Sequence, residues 1–334
     1  MQPSRQCWGW ICSAVMFGLW MLTGCGGEGA QRQQHAGEYP YRVVASVGMV
    51  ADIVREVGGD YVDVESMIGE GVDPHQHSPT RQDMRLLLDA DVVFYSGLNL
   101  EGRMSETFRD LQEGGVPVFA VTDSLARERL RTPGEYEGHA DPHVWMDVSM
   151  WAEAVDFVAE SLSSYDPTHR DAYLENAKAY RQRLEELDDY VRTAVQSIPK
   201  AQRVLITAHD AFGYFGDAYG IEVMAPQGIS TESEASVEDI NELVRLIVER
   251  KVQAIFVESS VNPKSIAAIL EGVEKQGHKI RIGGTLYSDA MGTAGTYEGT
   301  YIGMLDHNAT VIVRALGGEA PARGWQGMLR EKGE

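Results

Sequence analysis

Between Pro167 and Ile198 the chain carries one unbroken stripe of apolar or small residues. They fall at Tyr173, Ala177, Tyr180, Leu184, Leu187, Val191, Ala194 and Ile198, spaced by four and three in turn. That spacing predicts a single amphipathic helix. Asp166-Pro167 opens it as N-cap and first-turn proline, and Pro199 stops it. Its 32 residues would run about 48 Å, more than a small domain needs to cover its own sheet. A coiled-coil dimer is the rival reading of such a stripe. The flanks favour a rigid spine between two lobes, because they read as α/β sequence rather than as further heptads.

On the N-terminal side, strands are expected at 41–47, 61–68, 91–96 and 116–121, with helices at 49–57, 80–89, 103–113 and 148–165. On the C-terminal side, strands are expected at 203–208, 221–225, 252–258 and 280–286, and helices at 237–250, 263–276 and 297–316. Near-continuous apolar strands alternating with amphipathic helices imply parallel sheets covered on both faces. The expected fold is therefore α/β, two lobes each with a parallel sheet flanked by helices, joined by one long rigid helix. The expected boundaries are a first lobe at 41–165, the spine at 166–199 and a second lobe at 200–334. Open parallel sheets bind ligands at the carboxyl ends of their strands, so a cleft between two such lobes is the natural site.

The start of the chain reads as an export signal. Trp8 to Leu22 is a 15-residue uncharged run after Arg5, reaching about 22 Å as a helix, short of the ~30 Å hydrocarbon core of a bilayer. It is followed by Leu22-Thr23-Gly24-Cys25, which resembles a bacterial lipobox, so 1–24 is expected to be removed and Cys25 to carry lipid. An ordinary signal peptide with an incidental cysteine is the alternative. The polar, Gly-rich residues that follow make 25–40 a flexible tether. All three cysteines (Cys7, Cys12, Cys25) lie in this region, which excludes disulfides, thiolate metal sites and cysteine catalysis from the body of the protein. With 29 basic and 50 acidic side chains the net charge is −21, moving to −22 once Arg5 is lost. Such a molecule repels phosphate backbones, so no nucleic acid is expected as partner.

Candidate ligands come from the nine histidines. Asp73-Pro74-His75 and Asp141-Pro142-His143 repeat one pattern in loops of the first lobe, where the aspartate could accept the distal imidazole N–H of a ligating histidine. Asp-Pro also opens turns for purely structural reasons. His209 ends the strand at 203–208, and Asp289 lies just past the strand at 280–286. Either alone would ordinarily be a capping or core residue. Together the four set two imidazoles of one lobe against an imidazole and a carboxylate of the other. Three nitrogens and one oxygen suit tetrahedral Zn²⁺, and with a bidentate carboxylate they suit Mn²⁺. Outer partners to consider are Asp73, Asp141, Glu258 at a strand's carboxyl end, and His77. An extended backbone would point His77 away from His75. His139 is a candidate for metal scavenging near the cleft; His35, His169, His278 and His307 read as structural or solvated.

At these residues the sequence resembles the TroA-like, or cluster A-I, lipoproteins that bind zinc or manganese as solute-binding components of ABC transporters. The resemblance covers nearly the whole expected mature chain. It rests on Gly71-Val72-Asp73-Pro74-His75, Asp141-Pro142-His143-Val144-Trp145, Thr207-Ala208-His209-Asp210-Ala211-Phe212-Gly213-Tyr214-Phe215, Val257-Glu258-Ser259-Ser260 and Ser288-Asp289-Ala290-Met291-Gly292. It implies His75, His143, His209 and Asp289 as metal ligands and Zn(II) or Mn(II) as cargo. It also implies a permease partner, a monomer held at the membrane by its lipid, an extracytoplasmic location, and a stiff helix that limits closure to local movement. In that family manganese proteins tend to have glutamate at the third ligand position and zinc proteins histidine, so His209 favours zinc slightly. The short Glu135-Tyr136-Glu137-Gly138-His139-Ala140 stands where dedicated zinc importers often carry a His-rich loop, and its brevity weakens a zinc-only reading.

Two other function classes compete. A zinc-dependent hydrolase needs an open coordination position and a nearby base, and four protein ligands would close the site. The chain also has no His-Glu-x-x-His, Gly-x-Ser-x-Gly or Walker pattern. A surface adhesin of the same fold has no direct support in the residues.

Overall fold

The first strand, β1 (Tyr41–Ala45), lies at the centre of a four-stranded parallel sheet. In the computed structural model, which describes residues 34–134 and 138–330, the spatial order is β2-β1-β3-β4, with β2 at Val62–Ser66, β3 at Val92–Tyr95 and β4 at Val118–Ala120. Val43, Val44, Val92, Val93 and Phe94 are all buried, as expected where helices cover both faces of a sheet. The first-lobe helices are α1 (Gly48–Gly58), α2 (Arg81–Leu88), α3 (Ser105–Glu113) and α4 (Val148–Tyr165). Thr80 and Asp83 form a reciprocal capping box on α2, and Asp147 caps α4 through the N–H groups of Ser149 and Met150.

The spine differs from expectation at its start. Pro167–His169 forms a 3-10 turn, and the helix proper, α5, is Arg170–Gln196, 27 residues and about 40 Å. The cause is Asp166, whose carboxylate accepts hydrogen bonds from Thr168 N–H, Tyr39 and Tyr173 and pairs with His169 Nδ1, fixing a tight turn before the helix can begin. The predicted stripe is buried from Tyr173 to Ala194 and packs on α1 and α4. Tyr180 donates to Asp52 of α1 at 2.8 Å. The chain itself covers the stripe, so the coiled-coil reading loses its basis.

In the second lobe α5 also packs on α6 (Gly213–Tyr219) and α9 (Tyr301–Ala315). The other elements are β5 (Val204–Ile206), β6 (Glu222–Met224), α7 (Val237–Arg250), β7 (Ala254–Glu258), α8 (Lys264–Lys275) and β8 (Arg281–Leu286). The strands form two parallel pairs, β5-β6 and β7-β8, rather than one continuous ladder. β5 and β7 are neighbours. Just past the end of β5, Glu258 Oε1 accepts the N–H groups of Ala208 (2.6 Å) and His209 (2.9 Å). A glycine is required at Gly283, where a Cβ would sit 2.6 Å from the Phe256 ring.

One apolar cluster runs from Val43 and Phe94 through α5 to Leu205, Phe256 and Ile312, and the described residues form one compact unit. Wide hinge motion would expose part of that core. The last residues of the expected tether are seated: His35 N–H bonds Tyr165 O at 2.7 Å, and its ring packs among Tyr39, Tyr41 and Tyr165. Cys25 and the signal lie outside the described residues, among which no helix is long and apolar enough to cross a membrane.

Candidate metal centre

Each expected ligand sits where a strand or its loop ends. His75 lies in the loop between β2 and α2, His143 just before α4, His209 past β5, and Asp289 past β8. Local chemistry fixes the loops. Asp73 Oδ1 accepts the backbone N–H of His75 at 2.9 Å, and Asp141 Oδ1 accepts that of His143 at 3.0 Å, the side-chain-to-backbone turn that Asx residues make readily. Only Asp141 goes further, reaching His143 Nδ1 at 2.8 Å and leaving Nε2 to face inward.

The four side chains converge. His143 Nε2 is 3.3 Å from both His75 Nε2 and His209 Nε2 and 3.2 Å from Asp289 Oδ1, while His209 Nε2 is 3.4 Å from Asp289 Oδ2. One donor atom from each of the four lies within 4.8 Å of all the others, and the residues are 0–3% exposed. Zn–N bonds of about 2.0–2.1 Å imply a tetrahedron with edges of about 3.3–3.4 Å. The separations from His143 Nε2, 3.2–3.3 Å to each of the other three residues, are close to such edges, and the set as a whole spans up to 4.8 Å. Imidazole lone pairs so close together repel one another unless a cation or proton lies between them. Asp289 Oδ1 is also buried without a hydrogen-bond partner, so the donor set fits a bound divalent ion.

Electrostatics divides the four residues. Burial pushes the His75 imidazole down to about 3, so it is neutral across the physiological range. Burial would lower His143 as well, but the Asp141 and Asp289 carboxylates outweigh it and hold that ring up at about 9. For His209 the same burial is outweighed by Glu258 and Asp289, again in the upward direction. Burial opposes the charge of Asp289, yet the imidazoles of His209 and His143 hold it well below the usual carboxylate range. In the absence of metal these shifts favour protonated His143 and His209 beside an ionised Asp289.

The sequence matches the ZnuA family, described as zinc-uptake complex component A, periplasmic, over residues 43–315. The chain belongs to this family. Among its relatives, the manganese-binding lipoprotein MntA of Bacillus subtilis is 43% identical over 306 residues, covering 92% of this chain and 98% of MntA. The zinc-binding protein TroA of Treponema pallidum is 45% identical over 307 residues, covering 92% of this chain and 98% of TroA. The solved TroA structure superposes with a TM-score of 0.80, covering 84% of this chain and 99% of that one. These ZnuA-family relatives are binding proteins rather than enzymes.

Around the centre of this ZnuA-family chain, Glu258 Oε2 lies 2.6 Å from His209 Nδ1, and Ser260 Oγ donates to Asp289 Oδ2 at 3.3 Å. Asp141 and Glu258 thus touch imidazoles as expected. Asp73 does not: its second oxygen accepts hydrogen bonds from Thr231 Oγ1 and from Gln76 Nε2. His77 joins neither group. Its Nε2 lies 3.1 Å from Asp83 Oδ2, because the α2 capping box presents that carboxylate beside it. His77→Ala is expected to leave Zn²⁺ affinity within about twofold, as calorimetric titration would show. A loss on the order of the 10–100-fold typical of an outer partner would restore His77 to that role. His139 is exposed and outside the four-residue cluster.

Three residues that support the site were missed in the sequence. Arg131 Nε approaches Asp141 Oδ2 at 3.4 Å, Tyr214 donates to Asp141 O at 3.0 Å, and Trp145 Nε1 donates to Ser288 O at 2.9 Å. Trp145 and Tyr214 stand within strings that carried the resemblance, whereas an arginine in a loop gives no local signal.

Proposed function

We propose that the protein is an extracytoplasmic receptor that captures Zn²⁺ or Mn²⁺ between its lobes and delivers it to an ABC permease, with zinc slightly favoured. The observation that carries this reading is the convergence of four buried donors, two from each side of the spine, on one point. A closed set of four protein ligands suits storage and transfer, whereas a hydrolytic centre keeps a position open for water. The role of His75, His143, His209 and Asp289 as ligands, the lipid on Cys25, the monomeric state and the division into tether, lobe, spine and lobe belong to the same proposal. Three imidazoles and one carboxylate support zinc.

Affinity order alone places Zn²⁺ above Mn²⁺ at almost any nitrogen and oxygen site, so competition in vitro is a weak guide to the natural cargo. The deciding experiment is metal analysis of protein purified, without added metal, from cells grown with both ions. About one equivalent of zinc is expected; one of manganese would reverse the preference, and failure to bind either ion would refute the receptor reading.

A further inference from the structure

The four donors are unequally held. His143 and His209 each set their second ring nitrogen against a buried carboxylate, and Asp289 accepts a bond from Ser260. The His75 ring makes only its 3.3 Å contact with His143 Nε2 among the hydrogen bonds of the described residues. Its position depends on its loop, and that loop is tied across the cleft. Asp73, which fixes the His75 backbone through Oδ1, receives the Thr231 hydroxyl and the Gln76 amide on Oδ2. Gln76 Nε2 also donates to Thr231 O at 3.1 Å. Arg103 spans the same gap, with Nη1 donating to Gln76 O at 2.9 Å and Nε pairing with Glu232 at 3.1 Å.

Thr231 is 3% exposed, and its carbonyl accepts a 3.2 Å bond from Gln227 Nε2, while Gln227 O receives Asp210 N–H beside His209. These bonds therefore connect the His75 loop of one lobe to the loop that braces His209 in the other. A cleft of about 730 Å³ opens beside them, lined in part by Asp73, Gln76, Thr231 and Glu232. Elsewhere the seam is held by interior contacts, Trp145 Nε1 donating to Ser288 O and Tyr301 to Trp145 O at 2.7 Å, and by two further polar ties, Thr293 Oγ1 to Glu70 at 2.8 Å and Arg131 to Asp217. The polar side is where the seam can part at least cost to the apolar core.

We propose that Thr231, with Gln76 and the Arg103–Glu232 pair, is a latch that holds the His75 loop over bound metal and sets its release rate. These are positioning residues, since none belongs to the donor cluster. The proposal rests on the receptor reading and adds the element that controls release.

The test is stopped-flow dissociation of Zn²⁺ from the full chain into excess chelator, with association measured separately. Thr231→Val keeps the side-chain shape and removes the hydroxyl; it should speed release about tenfold or more, the scale of a hydrogen bond to an ionised group, with association little changed. Thr231→Ser restores the hydroxyl and should restore the rate. Arg103→Glu should speed release about two- to fivefold, as suits an exposed pair, and Glu232→Arg in the same chain should reverse most of that. Normal Zn²⁺ binding with unchanged release from both Thr231→Val and Arg103→Glu would overturn the latch alone. A wild-type chain that takes up no metal would overturn the receptor reading and the latch together.

Discussion

His209→Ala is expected to lower Zn²⁺ affinity by two to three orders of magnitude. Binding free energies of about 10–16 kcal/mol at four-ligand zinc sites apportion to about 3–4 kcal/mol per ligand, and each 1.4 kcal/mol is tenfold in affinity. The loss extends beyond one nitrogen. Glu258 Oε2, buried 2.6 Å from His209 Nδ1, would lose its imidazole, and an unsatisfied buried charge costs about 1–3 kcal/mol or more. Part of the effect should therefore appear as a lower melting temperature of the metal-free variant. Glu258→Gln should fall between wild type and His209→Ala, since Oε1 also anchors the backbone of Ala208 and His209. Calorimetric titration of the three proteins orders them, and a His209→Ala chain that binds within tenfold of wild type would remove His209 from the ligand set.

The second large effect is a steep dependence on pH. A metal must bind the neutral form of His143, whose ring is held protonated up to about 9 before metal arrives. The sign follows directly: as pH falls below about 9, the proton competes more strongly and affinity drops about tenfold per unit for each proton displaced. Between pH 7.5 and pH 5 this one group accounts for about 2.5 decades, and His209, shifted in the same direction, steepens the fall. His75 contributes nothing in this window because burial has already made it neutral. Asp289, held below the usual range, stays ionised throughout. Titration in buffers of different ionisation enthalpy should detect proton release on binding at pH 7; equal affinity at pH 5 and pH 7.5 would contradict the ligand set.

The convergence of the four candidate residues was legible because position and chemistry agreed. His209 and Asp289 follow strands, and a parallel sheet presents such positions to its cleft. His77 does lie apart from His75, but through the turn at 74–76 and the Asp83 carboxylate rather than by the alternation of an extended backbone. Asp73 and Asp141 show the limit of local reading. The two stand in the same tripeptide, yet Asp141 orients an imidazole while Asp73 reaches Thr231, 158 positions away in sequence. Long-range pairing of this kind has no local signature. The division of the second lobe into two strand pairs was equally hidden, as was the bonding of Glu258 to the backbone just past the neighbouring strand β5. Helix α6 was missed because seven residues, Gly213 and Gly216 among them, are too few for a periodic pattern. The spine was read correctly in its stripe and too early at its start, where Asp166 captures three nearby partners and Tyr39 in a knot that the sequence of the first turn does not reveal.

In the proposed receptor four protein side chains enclose the metal and exclude solvent. X-ray absorption spectroscopy on the Zn²⁺-loaded protein tests this directly. The expected spectrum has three imidazole nitrogens and one carboxylate oxygen at about 2.0–2.1 Å, unchanged when an exchangeable anion is added. Fewer than three imidazoles, or a coordinated water that the anion displaces, would contradict it.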